Sequence, residues 1–331
     1  MPSVTRSLEG RRVLVTGGAG FIGGHIVRRL AQTGAAPVVV DTLDGYGFDQ
    51  VERFGIAGLA HVVRGDASDP AVVGPLVLDA DVVVHAAACA DVAACTSDPD
   101  RDFGSMRAAQ TVLEAARRSP GTRVVLASSA QVYGAAPADG ALFREDDTPG
   151  EPGMLYANSK AWVERQGRLY GSLFGVPVTV LRFFSVYGPH QVPKPGSHSW
   201  AAAVFSVRAL KGLPLVVHGD GSQVRDLVYV EDVADAVVAA ATAPEASGTT
   251  VNVGTGTATT IADLAGAVAD LVPGTEVVRG PRPEGDPDGG AADVARLERV
   301  LGTPARTDLA EGLRAYLDWA RTNMDLVGGV P

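Results

Sequence analysis

Short runs of β-branched and aliphatic residues recur along the first half of the chain. Residues 13–15, 38–40, 62–63, 82–84, 124–126 and 179–183 are such runs, each bounded by polar or turn-forming residues. A strand with one wet face alternates polar and apolar, whereas a continuous apolar run marks a strand covered on both faces. Between the runs, residues 23–32, 70–78, 107–118 and 155–170 have helical spacing. The alternation predicts an α/β fold, a doubly wound parallel sheet with helices on both faces. After Phe184 the rhythm breaks at Pro189, Pro193, Pro195 and Gly196. Beyond that break the pattern predicts helices at 200–210, 231–241, 261–271 and 309–321. It also predicts strands at 215–218 and 251–253, and a loop over the Pro-, Gly- and Asp-rich segment 282–290. Residues 1–184, with a return segment at about 226–257, are expected to form the sheet domain. Residues 185–225 and 258–331 are expected to form a smaller C-terminal substrate-binding lobe.

Composition narrows the setting. The 331 residues carry a net charge of −10, which argues against a nucleic-acid or anionic-membrane partner. No apolar run approaches the ~18 residues of a membrane span, and the first residues lack the apolar centre of a signal peptide. Two cysteines, Cys89 and Cys95, are too few for a disulfide framework. A cytoplasmic protein with no metal centre is expected. Three lysines occur, Lys160, Lys194 and Lys211, and a coding bias toward arginine accounts for the scarcity. Each surviving lysine is therefore the more informative.

Residues 13–25, VLVTGGAGFIGGH, run from a strand through glycines into a helix. Gly18, Gly20 and Gly23 satisfy G-x-G-x-x-G, and Gly17, Gly20 and Gly23 give a G-x-x-G-x-x-G form. Such glycines permit a tight turn and close approach of the backbone to a pyrophosphate, which the helix N-terminus then receives. Asp41 ends the second predicted strand, where a carboxylate accepts hydrogen bonds from both ribose hydroxyls and repels a 2′-phosphate. The residues after it, Thr-Leu-Asp-Gly, carry no positive charge, so NAD is favoured over NADP.

Tyr156 and Lys160 stand at i and i+4 on one helical face. An ammonium beside a phenol stabilises the phenolate. Lowering the phenol from about 10 to near neutrality takes about 4 kcal/mol. Upstream, VVLASSAQVY (124–133) is a buried strand running into two serines, and active-site groups cluster at such strand ends.

With these motifs the chain resembles the NAD-dependent epimerase/dehydratase family of extended short-chain dehydrogenases/reductases. The resemblance extends over nearly the whole chain, through HAAA (85–88), SSAQVYG (128–134), YANSK (156–160), LRFFSVYGP (181–189), GDGSQVRDLVYVEDVA (219–234) and NVGTG (252–256). It implies a Rossmann-type sheet and NAD as cofactor. By resemblance, Tyr156 is the acid/base, Lys160 orients it and holds the nicotinamide ribose, and Ser129 bonds the reacting sugar hydroxyl. Gly17, Gly20, Phe21, Ile22 and Gly23 would hold the pyrophosphate, and Asp41 the adenosine ribose. Asp66 and Ala67 would touch adenine, while Ala86, Ala87 and Ala88 line the cofactor. Arg225 corresponds to a phosphate-binding arginine and Val216 to His218 to a strand beside the nucleotide base. Two alternatives stay open: Asp66 as a helix N-cap and Arg225 as a structural ion-pair partner.

Four features depart from the family pattern. Ser185 replaces an asparagine that contacts the substrate diphosphate. Ser105 replaces one that supports the active-site strands. Arg282 is shifted by one residue from the expected phosphate-binding position. The segment CADVAAC (89–95) brings Asp91 toward the substrate. After Ser129, Ala130 and Gln131 stand where family dehydratases carry an acid pair, so no C5 base is available there. The resemblance therefore implies a C4 epimerase of a nucleotide-diphosphate sugar, UDP-sugar first among them. A dehydratase or reductase of the same family is the alternative, and a non-catalytic NAD-binding regulator the remote one. A homodimer through the helices near 107–118 and 155–170 is implied as well.

Overall fold

The computed structural model describes residues 7–89, 92–135, 140–147, 150, 153–193, 200–282 and 288–329. Strands β1 (Arg12–Thr16), β2 (Ala36–Asp41), β3 (His61–Arg64), β4 (Val82–His85), β5 (Arg123–Ser129) and β6 (Val178–Phe183) belong to one parallel sheet. Its seventh strand, Thr250–Val253, reaches the β6 edge only after the chain has passed through the second lobe. The spatial order is β3-β2-β1-β4-β5-β6-(Thr250–Val253). The order reverses between β1 and β4, and open α/β sheets bind ligands beyond the C-terminal ends of their strands at such a reversal.

The helices are α1 (Phe21–Gln32), α2 (Gln50–Arg53), α3 (Pro70–Leu78), α4 (Val92–Ser97), α5 (Pro99–Arg117) and α6 (Leu155–Phe174), followed by α7 (Ala201–Leu210), α8 (Val230–Thr242), α9 (Ile261–Leu271), α10 (Leu309–Thr322) and α11 (Met324–Val327). Successive strand residues point to opposite faces, and both faces are dry. Val13, Val15, Val82, Val84, Val125 and Ala127 pack with α1 and α8. Leu14, Val83, Val124 and Leu126 pack with α3, α5 and α6. This explains why the strands read as continuous apolar runs.

The sequence pattern places α5 at 107–118, but the helix begins at Pro99. Pro99 sits in the first turn, where its missing N–H costs nothing, and Asp100 and Asp102 complement the helix dipole. The smaller lobe has its own core, in which Phe205, Leu215, Val217, Leu264, Val268 and Leu313 are buried together. Small ladders outside the main sheet have no sequence signature: Ser185–Tyr187 with Leu227–Tyr229, and Val224–Arg225 with Thr259–Thr260 and Gly289–Gly290.

Candidate active site

Between the sheet and the smaller lobe lies a cleft of about 1450 Å³. Small-molecule pockets usually measure roughly 300–1,000 Å³, so this cleft is larger than one small ligand needs.

Its floor is the glycine turn after β1. Gly17 has φ +72°, and a Cβ there would lie 2.8 Å from the Ala87 backbone. At Gly23 a Cβ would fall on the Gly17 carbonyl oxygen. Helix α1 starts directly on this turn with Gly20 as N-cap, no side-chain cap and no acid in its first turn. The amides around Phe21, Ile22 and Gly23 are thus left for an anion. Asp41 closes the turn from the side: its carboxylate accepts from Ala19 N at 3.1 Å and Leu43 N at 3.0 Å. Burial pushes its carboxyl above the usual range. Gln50, missed in the sequence, donates to the Ala19 carbonyl at 2.9 Å. Its Oε1, buried at the cleft wall, has no partner among the described residues. A cradle that no side chain can enter, uncapped amides, a carboxylate at the cleft wall and an orphaned buried oxygen together fit a dinucleotide.

Asp66, Ala67, Ala86, Ala87 and Ala88 line the same half of the cleft. Asp66 is not the helix cap: Asp69 caps α3 through Ala71 N at 2.8 Å, while Asp66 accepts from Ser68 N at 2.7 Å. The β4 exit is tied to β1, with Thr16 Oγ1 2.8 Å from His85 Nδ1. Ser105 Oγ on α5 accepts from Cys89 N just after β4 at 2.9 Å.

Ser129, Tyr156 and Lys160 meet where β5 and α6 adjoin. Ser129 lies close enough to the Tyr156 phenol to favour phenolate, and its hydroxyl accepts from Gln131 N at 3.2 Å. The Lys160 ammonium donates to the Ala127 carbonyl at 2.8 Å and lies 5.8 Å from the Tyr156 ring centroid. Burial pushes Lys160 down to about 8, against the attraction of Glu164, Asp102 and Cys95. Burial likewise pushes Tyr156 up to about 12, with Ser129 opposing and Cys95, Cys89 and Asp102 adding to the rise. Among the protein's own groups, burial is the largest influence on the phenol and Ser129 opposes it.

Ser185, Val216, His218 and Arg225 line the same cleft. Arg225 donates to the Val224 carbonyl at 2.8 Å. Beside it, buried Asp226 takes four bonds, from Thr255 N and Oγ1 at 2.7 Å, Gly256 N at 2.9 Å and Ala292 N at 3.0 Å. That carboxylate fastens the turn after the seventh strand to the lobe, which gives the GDGSQVRD and NVGTG motifs a structural reason. Arg282 stands outside the cleft wall and pairs with Asp288 at 2.6 Å. Asp91 lies outside the described residues. Arg101, Arg208, Phe205 and Gln191 also line the cleft and were missed in the sequence. Only the tertiary arrangement brings α5, α7 and the segment after β6 to the site.

Residues 13–254 match the NAD dependent epimerase/dehydratase family, and the chain belongs to it. The UDP-glucose 4-epimerase of Mycolicibacterium smegmatis is 34% identical over 319 residues, covering 94% of this chain and 98% of that one. The dTDP-glucose 4,6-dehydratase of Streptomyces antibioticus is 32% identical, covering 94% of this chain and 92% of its own. The structure of the Thermus thermophilus UDP-glucose 4-epimerase in complex with NAD matches with a TM-score of 0.83 at 34% identity, covering 94% and 99% of the two chains.

Proposed function

We propose that the protein is an NAD-dependent epimerase acting at C4 of a nucleoside-diphosphate hexose, through a transient 4-keto sugar. The observation that carries this reading is the meeting of Ser129, Tyr156 and Lys160 in one cleft with a dinucleotide cradle. Ala130 and Gln131, in place of an acid pair, favour epimerisation over the dehydration named for the Streptomyces relative. UDP-sugars are the first substrates to test, as the named epimerase relatives use them.

Residues 1–184 and 226–257 would carry the cofactor, held by Gly17, Gly20, Phe21, Ile22, Gly23, Asp41, Asp66, Ala67 and Ala86 to Ala88. Residues 185–225 and 258–331 would carry the sugar nucleotide, its diphosphate against Ser185 and Arg225 and its base against Val216 and His218. When bound, NAD accepts and returns the C4 hydride, and its oxidised ring adds the positive charge that the buried phenol lacks. Tyr156 takes the proton of the 4-hydroxyl and later gives it back, a proton transfer worth about 10²–10⁴-fold in rate. Ser129 holds the hydroxyl, and Lys160 fixes the ribose and the field around the phenol.

A cytoplasmic homodimer fits this reading. No helix among the described residues is long and apolar enough to cross a membrane. Phe103 on α5 and Leu169, Leu173 and Phe174 on α6 are exposed apolar side chains on the two adjoining helices, a surface suited to a second copy. Light scattering tests the oligomer. The function is tested by mass spectrometry of co-purified small molecules and by incubation with UDP-, dTDP- and GDP-hexoses. A 4-epimer is expected without net NADH formation. A product lighter by one water, or stoichiometric NADH, would overturn the epimerase reading.

A further inference from the structure

Tyr156, Lys160 and Glu164 occupy successive turns of α6. The first two reach the cleft, whereas Glu164 points into the protein and is 1% exposed. Its carboxylate takes the Arg182 guanidinium in a two-pronged pair, Nε to Oε1 at 2.9 Å and Nη2 to Oε2 at 2.8 Å. Ser128 on β5 donates to Oε1 at 2.5 Å. Arg182 on β6, itself 2% exposed, lies over the Tyr133 ring at 4.6 Å, and Tyr133 donates to Asn252 on the seventh strand at 2.6 Å. One carboxylate thus ties the catalytic helix to strands β5 and β6. Ser128 and Ser129 are neighbours, so one serine bonds Glu164 on α6 while the next lies beside Tyr156 on the same helix.

A buried ion pair is a weak device for stability, because the desolvation of both charges offsets their attraction. Its position beneath the catalytic helix calls for a different reason. We propose that Glu164 is a positioning residue for this site: it sets the register of α6 on β5, and so the height of Tyr156 and Lys160 against Ser129, and it supplies the counter-charge for the buried ammonium. This rests on the epimerase reading for its kinetic consequence, but its electrostatic half can be read without any substrate.

The groups facing Lys160 are Glu164 and Tyr156 from its own helix, Asp102 from α5, Cys95 from α4 and His85 from β4. Those facing Glu164 are Arg182, Ser128 and Arg168, the last a partly exposed partner at 3.4 Å. Glu164 is the strongest influence holding the lysine charged, ahead of Asp102 and Cys95. Removing its charge lowers the pH at which Lys160 loses its proton.

The experiment uses the three-lysine composition of the chain. Protein with ¹³C-labelled lysine gives few ε-methylene signals, and Lys160→Arg identifies the one of interest. In Glu164→Gln its titration is expected to move to lower pH by at least half a unit, with the alkaline limb of kcat moving alongside. In Ser128→Ala, which keeps the charge and loosens the register, kcat is expected to fall about tenfold with KM within twofold and no change in the lysine titration. Should Glu164→Gln fail to fold, Glu164→Asp decides: it keeps the charge but shortens the reach, so kcat falls while the lysine titrates as in the parent. A Lys160 titration unchanged in folded Glu164→Gln, or parental kcat in Ser128→Ala or Glu164→Asp, overturns the proposal. Absence of epimerisation by the parent protein would instead overturn the assigned function and leave the lysine titration standing as a test.

Discussion

Lys160 stands 5.8 Å from the centroid of the Tyr156 ring and spends a hydrogen bond on the Ala127 carbonyl. The ammonium is anchored to the strand that also carries Ser129.

Tyr156 is the phenol that stands beside Ser129 at the cleft. Tyr156→Phe keeps the ring and removes the proton-transfer group. Turnover is expected to fall by about 10²–10⁴-fold while bound NAD, read by mass spectrometry, is retained. More than a tenth of the parental turnover would assign the proton transfer elsewhere.

Gln131 lines the cleft beside Ser129 as a neutral amide, and Ala130 offers no acid. Only the C4–H bond is then expected to break, and its hydrogen travels as hydride, never as a proton open to water. Sugar recovered after turnover in D₂O is expected to carry no carbon-bound deuterium by NMR. Deuterium at C5 would direct attention to Cys89, at the cleft wall, and to Asp91.

Asp41 is expected to make the apo-protein bind NAD more tightly than NADP, and Asp41→Asn to narrow the gap. Calorimetry of both cofactors against both proteins is the check. The sequence around Asp41 shows no cation, but pairing of β2 with β3 sets Arg64 opposite it. Arg64 is engaged, donating to Asp44 at 2.9 Å and to the Thr42 carbonyl at 3.2 Å, so a 2′-phosphate would have to break that pair. Equal affinity for the two cofactors in the parent would show that it does so at little cost.

Two histidines, His25 and His85, are buried, and a third, His190, is half-buried. Burial pushes His25 and His85 down to about 3 and His190 down to about 4, well below the unfolded value near 6.5. Their folded values are depressed, so the unfolded chain binds more protons between pH 6.5 and about 4, and stability falls as pH drops through that window. Three such groups give a slope of at most about 4 kcal/mol per pH unit near pH 5. Melting temperature measured across this range is expected to fall steeply. His190 has φ +70°, a conformation that asparagine tolerates, so His190→Asn is expected to flatten the slope by about a third. An unchanged slope would mean that His190 is charged in the folded protein.

The sheet was legible because its strands are buried on both faces, which leaves an unbroken apolar signature. The glycine turn, Asp41, Ser129 and the Tyr156–Lys160 pair were legible because each sits at a strand end or on one helical face. The start of α5 was not, since Asp-Pro-Asp-Arg-Asp has no apolar period and its helicity rests on a favourable N-terminus. The small ladders were not, since two or three residues pair only once distant segments have been brought together. Gln50 and Gln191 belong to none of the motifs read in the sequence; the fold buries both, to 3% exposure. Glu164 lay in plain view eight residues after Tyr156, but its meaning needed Arg182 from another strand.

The seventh strand, Thr250–Val253, is also a matter of timing. During synthesis β6 leaves the ribosome with its outer edge bare, and its partner follows only after the intervening residues 184–249 have been made. The long separation slows that pairing, because loop closure must come before any contact rewards it. Meanwhile Val178–Phe183, wholly buried in the finished protein, presents unpaired backbone and apolar side chains to any other strand it meets. The nascent chain is therefore most exposed to misassembly in the interval before the lobe is complete, and a fragment ending near residue 184 would carry that exposed edge permanently.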